Sequence, residues 1–306
     1  MDPLAAVVTL LKPQAVGAKI VHGHARWGVR YAGSGQPSYA LILEGSCWLA
    51  VDGAPAATLE TGDFVLIPAM PGFTVASDPD VEPVPMTPSP CEDMHEVFHG
   101  DTSAAPSVTM LGGYFAFDPV NASMLLALLP RMLRIRAAEP ALDSLAPIVE
   151  LIRREAGGKR AGRELVLTRL IEVMLVEALR SIPSDLDATG LLAGLRDPQL
   201  AAALRGIHTA TARPWTLATL AREAAMSRSS FAERFARVTG ATPVNYLLQW
   251  RLAVARNMLA RERMSVAETA LAVGYESASA FSTAFKRETG QSPKEFIAVH
   301  RGAIAL

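Results

Sequence analysis

A block of about fifty residues near the C-terminal end of this 306-residue chain is written twice. The first copy carries Leu217, Leu220, Ala221, Ala225, Ser227, Phe231, Phe235, Thr239, Gly240, Pro243 and Tyr246. The second carries Val266, Thr269, Ala270, Gly274, Ser277, Phe281, Phe285, Thr289, Gly290, Pro293 and Phe296. From the serine onward the offset is 50 residues, and before it 49, so one extra residue sits in the middle of the second copy. Repetition at such a period means one supersecondary unit built twice. Apolar positions recur at helical spacing, and a Thr-Gly step ends each run. Each copy therefore predicts helix, tight turn, helix, at about 217–238 and 266–289.

Charge separates this region from the rest. The formal net charge of −1 is the sum of +7 over residues 201–306 and −8 over the first 200. Such asymmetry points to one part that meets a polyanion and another that does not. No apolar run approaches the roughly 18 residues that a membrane helix needs, and Met1-Asp2-Pro3-Leu4 lacks the basic stretch of a secretory signal. Two cysteines, Cys47 and Cys91, form no disulfide framework. A cytoplasmic chain with no membrane partner is expected.

Residues 4 to 118 read as mostly strand, in short apolar runs such as Tyr39–Leu43, Ser46–Val51 and Phe64–Ile67 broken by Gly and Pro, which suggests a sandwich or barrel. Ser77–Ser107, crowded with prolines and acids, reads as a long loop with at most one helical turn. The period then changes. Met124 to Leu133, Leu145 to Ile152 and Arg163 to Leu179 carry apolar residues at helical spacing, and their apolar excess suggests a homodimer seam. The expected fold is α+β and multidomain. A β-barrel occupies 1–120, a helical connector and dimerisation segment 121–195, and an all-α domain with two helix-turn-helix motifs 200–300.

Within each motif the Phe pairs at i, i+4 must face inward, which frees the opposite face of the second helix. That face holds Arg228, Ser229, Ala232, Glu233 and Arg237 in the first motif. In the second it holds Ala278, Ser279, Ser282, Thr283, Lys286 and Arg287. Short polar groups suit base edges in a major groove, and the cations suit phosphates. The seventeen residues from Val244 to Ala260, at 1.5 Å each, make a stiff joint of about 26 Å between the motifs. Reading helices about 34 Å apart would meet successive major grooves on one face of duplex DNA.

The run Gly274-Tyr275-Glu276-Ser277-Ala278-Ser279-Ala280-Phe281-Ser282-Thr283-Ala284-Phe285-Lys286-Arg287-Glu288-Thr289-Gly290-Gln291-Ser292-Pro293-Lys294-Glu295-Phe296 closely follows the signature of the AraC/XylS family of bacterial transcription regulators, which residues 200–300 resemble. The resemblance implies a sequence-specific DNA-binding regulator that recruits or positions RNA polymerase at a promoter, and it favours an activator over a repressor. It places Ser229, Ala232 and Glu233 of the first motif, and Ala280, Ser282 and Thr283 of the second, where family members read bases. Ala232 and Ala280 can touch only a thymine methyl or read shape.

The N-terminal part resembles the cupin-like sensor of one branch of that family. Gly62-Asp63-Phe64-Val65-Leu66-Ile67-Pro68 with Pro71-Gly72-Phe73 loosely follows the second cupin motif. Phe73 stands where enzymatic cupins place a ligating His, and Tyr39-Ala40-Leu41 has no His either. That leaves little to hold a catalytic transition metal. The barrel is expected to bind a small-molecule effector, without a cofactor, through Trp27, Tyr31, Tyr39 and Trp48, although barrel core is the commoner fate of such aromatics. A metal-dependent cupin enzyme is the weaker alternative. Another is a thiol or metal stress sensor, because Cys91, His95 and His99 recur every four residues and would share a helix face. Acidic neighbours raise a thiol pKa and weigh against its thiol form. His22 and His24 alternate along a strand and read as surface or loop residues. No triad, Walker loop or dinucleotide fingerprint is present.

Overall fold

The computed structural model describes residues 2–69, 71–87, 95–122, 126, 132–137, 145–158, 160–180 and 190–302. The chain divides into two compact units: Pro13–Ala116 with Pro130–Leu186, and Met1–Lys12 with Phe117–Leu129 and Asp187–Leu306. This differs from the expected boundaries at 120 and 195. The connector helices belong with the sheet, and the first twelve residues belong with the C-terminal helices.

The first unit is a strongly bent sheet with helices on one face. Its strands are β1 Gln14–His24, β2 Gly28–Ala32, β3 Ser38–Val51, β4 Ala57–Glu60, β5 Phe64–Ile67, β6 Gly72–Ala76, β7 Val84–Met86, β8 His95–Gly100, β9 Pro106–Ala116 and β10 Leu133–Ile135. The order runs β7-β2-β6-β3-β9-β1-β8, with β4 and β5 on β3 and β10 on β5. The fourteen-residue β3 is the spine. Its first half pairs with β9 and β5, its second half with β6 and β4. A register shift between Ile42 and Glu44 lets it turn from one sheet to the other. The interior core gathers Val21, Trp27, Val29, Tyr31, Ile42, Cys47, Leu49, Val65 and Met110.

Three expectations are corrected here. The region 77–107 is not one loop, because it contains β7 and β8, which pair in parallel with β2 and β1. Leu133 lies in a strand, not a helix; most of the segment 124–131 lies outside the described residues. The N-terminal run is a helix, α1 Pro3–Leu11, started by Asp2, whose side chain accepts from the Ala5 N–H, and by proline at its first position. Its apolar residues are continuous, so neither period stands out in the sequence.

The connector helices are α2 Leu145–Ala156 and α3 Arg163–Arg180. Leu167, Ile171, Met174, Leu175 and Ala178 form the buried stripe of α3.

The second unit contains α1 and a helical series: α4 Leu191–Arg196, α5 Leu200–Thr209, α6 Leu217–Glu223, α7 Arg228–Thr239, α8 Pro243–Ala260, α9 Val266–Ala272, α10 Ala278–Thr289 and α11 Pro293–Gly302. Gly194–Pro198, which together with Ser184–Thr189 reads in the sequence as a flexible joint, is partly α4, and residues 184–189 lie outside the described residues. Two cores sit side by side. One holds Leu204, Ile207, Trp215, Leu220, Phe231, Phe235, Tyr246 and Trp250, completed by Ala6, Val7, Leu10 and Leu11 of α1. The other holds Leu252, Ala255, Leu259, Ala270, Val273, Phe281, Phe285 and Phe296, completed by Val120. Helix α8 contributes its first half to one core and its second half to the other.

Candidate nucleic-acid interface

The two motifs repeat each other in atomic detail. Thr216 and Ser265 open them with capping boxes, reciprocated by Thr219 and Glu268. Four residues separate α6 from α7 and five separate α9 from α10, so the extra residue lies in the second turn. In each turn a backbone N–H closes on the first helix: Met226 to the Ala221 carbonyl and Tyr275 to the Ala270 carbonyl, both at 2.9 Å. The residue before it is left-handed, Ala225 at φ 51° and Gly274 at φ 84°. Ser227 and Ser277 then cap α7 and α10 by accepting from Ser230 and Ala280 N–H. Gly240 and Gly290, at φ 75° and 77°, end those helices.

The aromatic packing is equally paired. Phe231 and Phe235 lie 5.4 Å apart, Phe281 and Phe285 5.5 Å. Tyr246 meets Phe235 edge-on at 72°, and Phe296 meets Phe285 at 73°. All four inner Phe rings are fully buried. Burying them fixes the rotation of α7 and α10, so the opposite faces must point to solvent.

Those faces carry the residues expected there. Arg228, Ser229, Glu233 and Arg237 of α7 are exposed, as are Ser279, Thr283, Lys286 and Arg287 of α10. Ser282 is half-buried, and its hydroxyl donates to the Ala278 carbonyl at 2.6 Å. The Thr283 hydroxyl donates to the Ser279 carbonyl at 3.1 Å. With their protons committed, both hydroxyls offer only lone pairs to a partner. Arg237 sits 3.8 Å from Glu233 in an exposed pair, and Arg287 sits 2.8 Å from Glu288. Exposed pairs of this kind are worth about 0–1 kcal/mol, so they yield to a stronger anion.

Three further arginines of the motifs and their joining helix are hydrogen-bonded to partners too distant in sequence for any motif to reveal. Arg234, on the inner flank of α7, donates from Nε to Asp197 at 2.8 Å. Arg251 of α8 donates from Nε to the Thr211 carbonyl at 3.1 Å and from Nη2 to the Arg213 carbonyl at 2.8 Å. Arg261, the C-cap of α8, donates through Nε and Nη2 to the two carboxylate oxygens of Asp118, each at 3.0 Å. Burial opposes the charge on Asp118. The hydrogen bonds from Arg261 and the Val120 N–H, with the nearby charges of Arg261 and Lys12, still hold its carboxyl below the ordinary carboxylate range. Inside the first core, burial pushes the His208 imidazole down to about 3, although the Asp2 charge opposes this. His208 stacks on Trp250 at 3.8 Å, and its Nε2 lies 2.7 Å from the Tyr246 hydroxyl.

In the sheet unit, the four aromatics expected to line an effector pocket do not converge. Trp27 and Tyr31 belong to the packed interior core. Tyr39 lies on the other side of the sheet, against Phe115 at 4.9 Å and Phe64 at 6.4 Å. Trp48 is half-buried and alternates away from the inward Cys47 and Leu49. A cavity of about 350 Å³ instead lies between the sheet and the connector helices. Leu43, Phe64, Ile135, Val149 and Met174 form its apolar walls, with Glu44, Glu150 and Arg153 among its lining residues.

Phe73 stacks on Tyr31 at 5.0 Å, where the cupin motif would place an imidazole. Asp63 of the same motif accepts from Arg134 at 2.7 Å and from the Ala137 N–H at 3.0 Å, a structural role. This set does not fit a cupin metal, and no group of three or more potential ligands occurs among the described residues. His95 and His99 occupy β8 rather than a helix. Four residues of strand separate them by about 13 Å, too far to share an ion. Cys91 lies outside the described residues. Cys47 is buried, and burial with the Asp63 charge pushes its thiol up to about 12, leaving it protonated and unreactive. His22 and His24 both lie on β1 beside Phe98, at 5.1 and 6.1 Å.

Comparison with known proteins covers both units. A cupin family model matches residues 2–183, and a helix-turn-helix domain model matches residues 220–298. An AraC-like transcription regulator of Streptomyces lividans is 35% identical over 305 residues, covering 97% of this chain and 98% of that protein. The transcriptional regulator AlkR of Acinetobacter baylyi is 30% identical, covering 84% of this chain and 86% of its own length. Among solved structures, the DNA-binding domain of AdpA in complex with a target DNA is 31% identical, with a TM-score of 0.33. That match covers 35% of this chain and 96% of the AdpA domain.

Proposed function

The chain belongs to the AraC family of DNA-binding transcriptional regulators, and from that premise we propose that it is a dimeric, signal-gated regulator whose two motifs grip one face of a promoter. The observation that carries this reading is the twinned geometry. Two motifs with matching turns and cores present exposed polar helix faces and are joined by one continuous eighteen-residue helix.

On this reading Ser229, Glu233, Ser279, Ser282 and Thr283 address base edges, while Arg228, Arg237, Lys286 and Arg287 take phosphates. A carboxylate and acceptor-only hydroxyls favour bases that present amino donors, cytosine N4 or adenine N6. RNA polymerase contact and an activating output are part of the proposal, by family likeness. The second copy would pack on the outward side of α3, where Leu165, Val166 and Val173 are 62%, 42% and 47% exposed.

The signal would be a small molecule in the cavity between sheet and connector helices, since ligand sites are concave and mostly apolar, with a few polar groups. A bound molecule there would touch both the sheet and the helices of the inferred seam. The test is selection of duplexes from a random library by the full-length protein, followed by footprinting and a salt titration. Two contact regions one helical turn apart, with affinity falling steeply as salt rises, support the reading. A single contact region, or binding indifferent to sequence, sinks it.

A further inference from the structure

The second motif is held from outside the repeated block. Asp118 lies 143 residues before its partner Arg261, with its side chain only 4% exposed. Its neighbours join the same attachment. Val120 is 5% exposed in the core of the second motif. Asn121 donates from Nδ2 to the Ala253 carbonyl of α8 at 3.1 Å. Asp118 is tied in turn to the N-terminal segment: its N–H donates to the Leu11 carbonyl at 2.8 Å, and Lys12 Nζ lies 3.8 Å away.

Arg261 stands where this attachment matters most. It is the C-cap of α8, directly after Ala260, and only Glu262, Arg263 and Met264 separate it from Ser265, the cap of α9. Arg263 is itself left-handed at φ 56°. The direction in which the chain leaves α8 decides where α10 points. A bidentate carboxylate–guanidinium pair constrains direction as well as distance.

We propose that Asp118 is a positioning residue for DNA recognition, acting through Arg261 to set the second reading helix at a fixed angle to the first. It does not touch DNA. The brace is covalently continuous with the sensor unit, because β9 ends at Ala116, two residues before Asp118. A change at the end of β9 therefore lies only two residues along the chain from the brace. The inference rests on the reading that both motifs bind one duplex, and its test includes an arm that needs no DNA.

The test uses full-length wild type, Asp118→Asn, Arg261→Gln and the double variant. Asparagine preserves size and leaves Oδ1 to accept from the Val120 N–H, a bond of 3.0 Å in the native chain, so the local turn is retained. On the duplex selected by wild type, each single variant should bind on the order of tenfold more weakly. Duplexes reselected by the variants should lose sequence preference in the half read by α10 and keep it in the half read by α7. The double variant should be no worse than either single one. In the free protein, amide hydrogen exchange should accelerate across residues 266–296 and stay unchanged across 217–239. Equal loss in both half-sites, additive losses in the double variant, unchanged binding, or faster exchange in both motifs would each overturn the proposal. A wild-type site with information in only one half would count against the two-motif reading, while the exchange result would still decide the brace.

Discussion

The guanidinium of Arg251 occupies the space a β-carbon on Gly274 would need: Nη2 lies 2.6 Å from that position, and the Ala212 carbonyl oxygen closes the other side at the same distance. The turn of the second motif thus rests against a loop of the first through one arginine of the joining helix. At φ +84° this residue also needs the left-handed region. Gly274→Ala should destabilise the chain by about 2 kcal/mol or more, from strain and overpacking together. Ala225, its counterpart at φ 51°, is exposed. Ala225→Gly should be neutral or stabilising by up to about 1 kcal/mol, relief of the left-handed alanine offsetting the entropy gained by the unfolded chain. Denaturant unfolding of both variants checks the opposite signs.

Base-facing and phosphate-facing residues should separate by the kind of loss they cause. Glu233→Ala and Ser282→Ala should each change preference at one base position by about 1–3 kcal/mol. Arg237→Ala and Lys286→Ala should weaken all duplexes alike and reduce the salt slope by about 1. Competition binding at several salt concentrations reads both quantities.

His208 should make the helical unit acid-sensitive. Its imidazole titrates near 3 when folded, against an ordinary value of 6.5. Between those values the unfolded chain binds a proton that the folded chain refuses. Stability should therefore rise with pH from about 3 to 6.5, with a slope of up to about 1.4 kcal/mol per pH unit, and this contribution should be flat above. His208→Gln should remove that slope in pH-dependent thermal unfolding. A slope that survives assigns the acid sensitivity to other groups.

The N-terminal helix should be part of the DNA-binding unit in solution. Leu11 is 2% exposed within the first-motif core. Leu11→Ala should cost about 2–4 kcal/mol, comparable to the about 3–5 kcal/mol expected for Phe281→Ala in the second core. A fragment covering only 200–302 lacks both α1 and Val120, so it should unfold at lower denaturant than the full chain. Equal stability of fragment and full chain would show that α1 contributes nothing.

What could be read from the residues alone follows how far each interaction reaches along the chain. The two motifs, the Thr-Gly steps that end them, the extra residue of the second copy and the inward Phe faces were all legible, because helix periodicity, glycine stops and i, i+4 packing act within one or two turns. The exposed outer faces of α7 and α10 followed from the same periodicity. Tertiary structure alone decided the rest. Tyr39 left the barrel interior because the shift between Ile42 and Glu44 reverses which alternate residues of β3 face inward. The helix at 3–11 and the segment 118–121 joined the C-terminal unit because an unpatterned apolar run, a lone valine and one acid found partners more than a hundred residues away. Nothing in a local pattern encodes such a partner. It exists only once the chain has closed a core that leaves room for that side chain and little else.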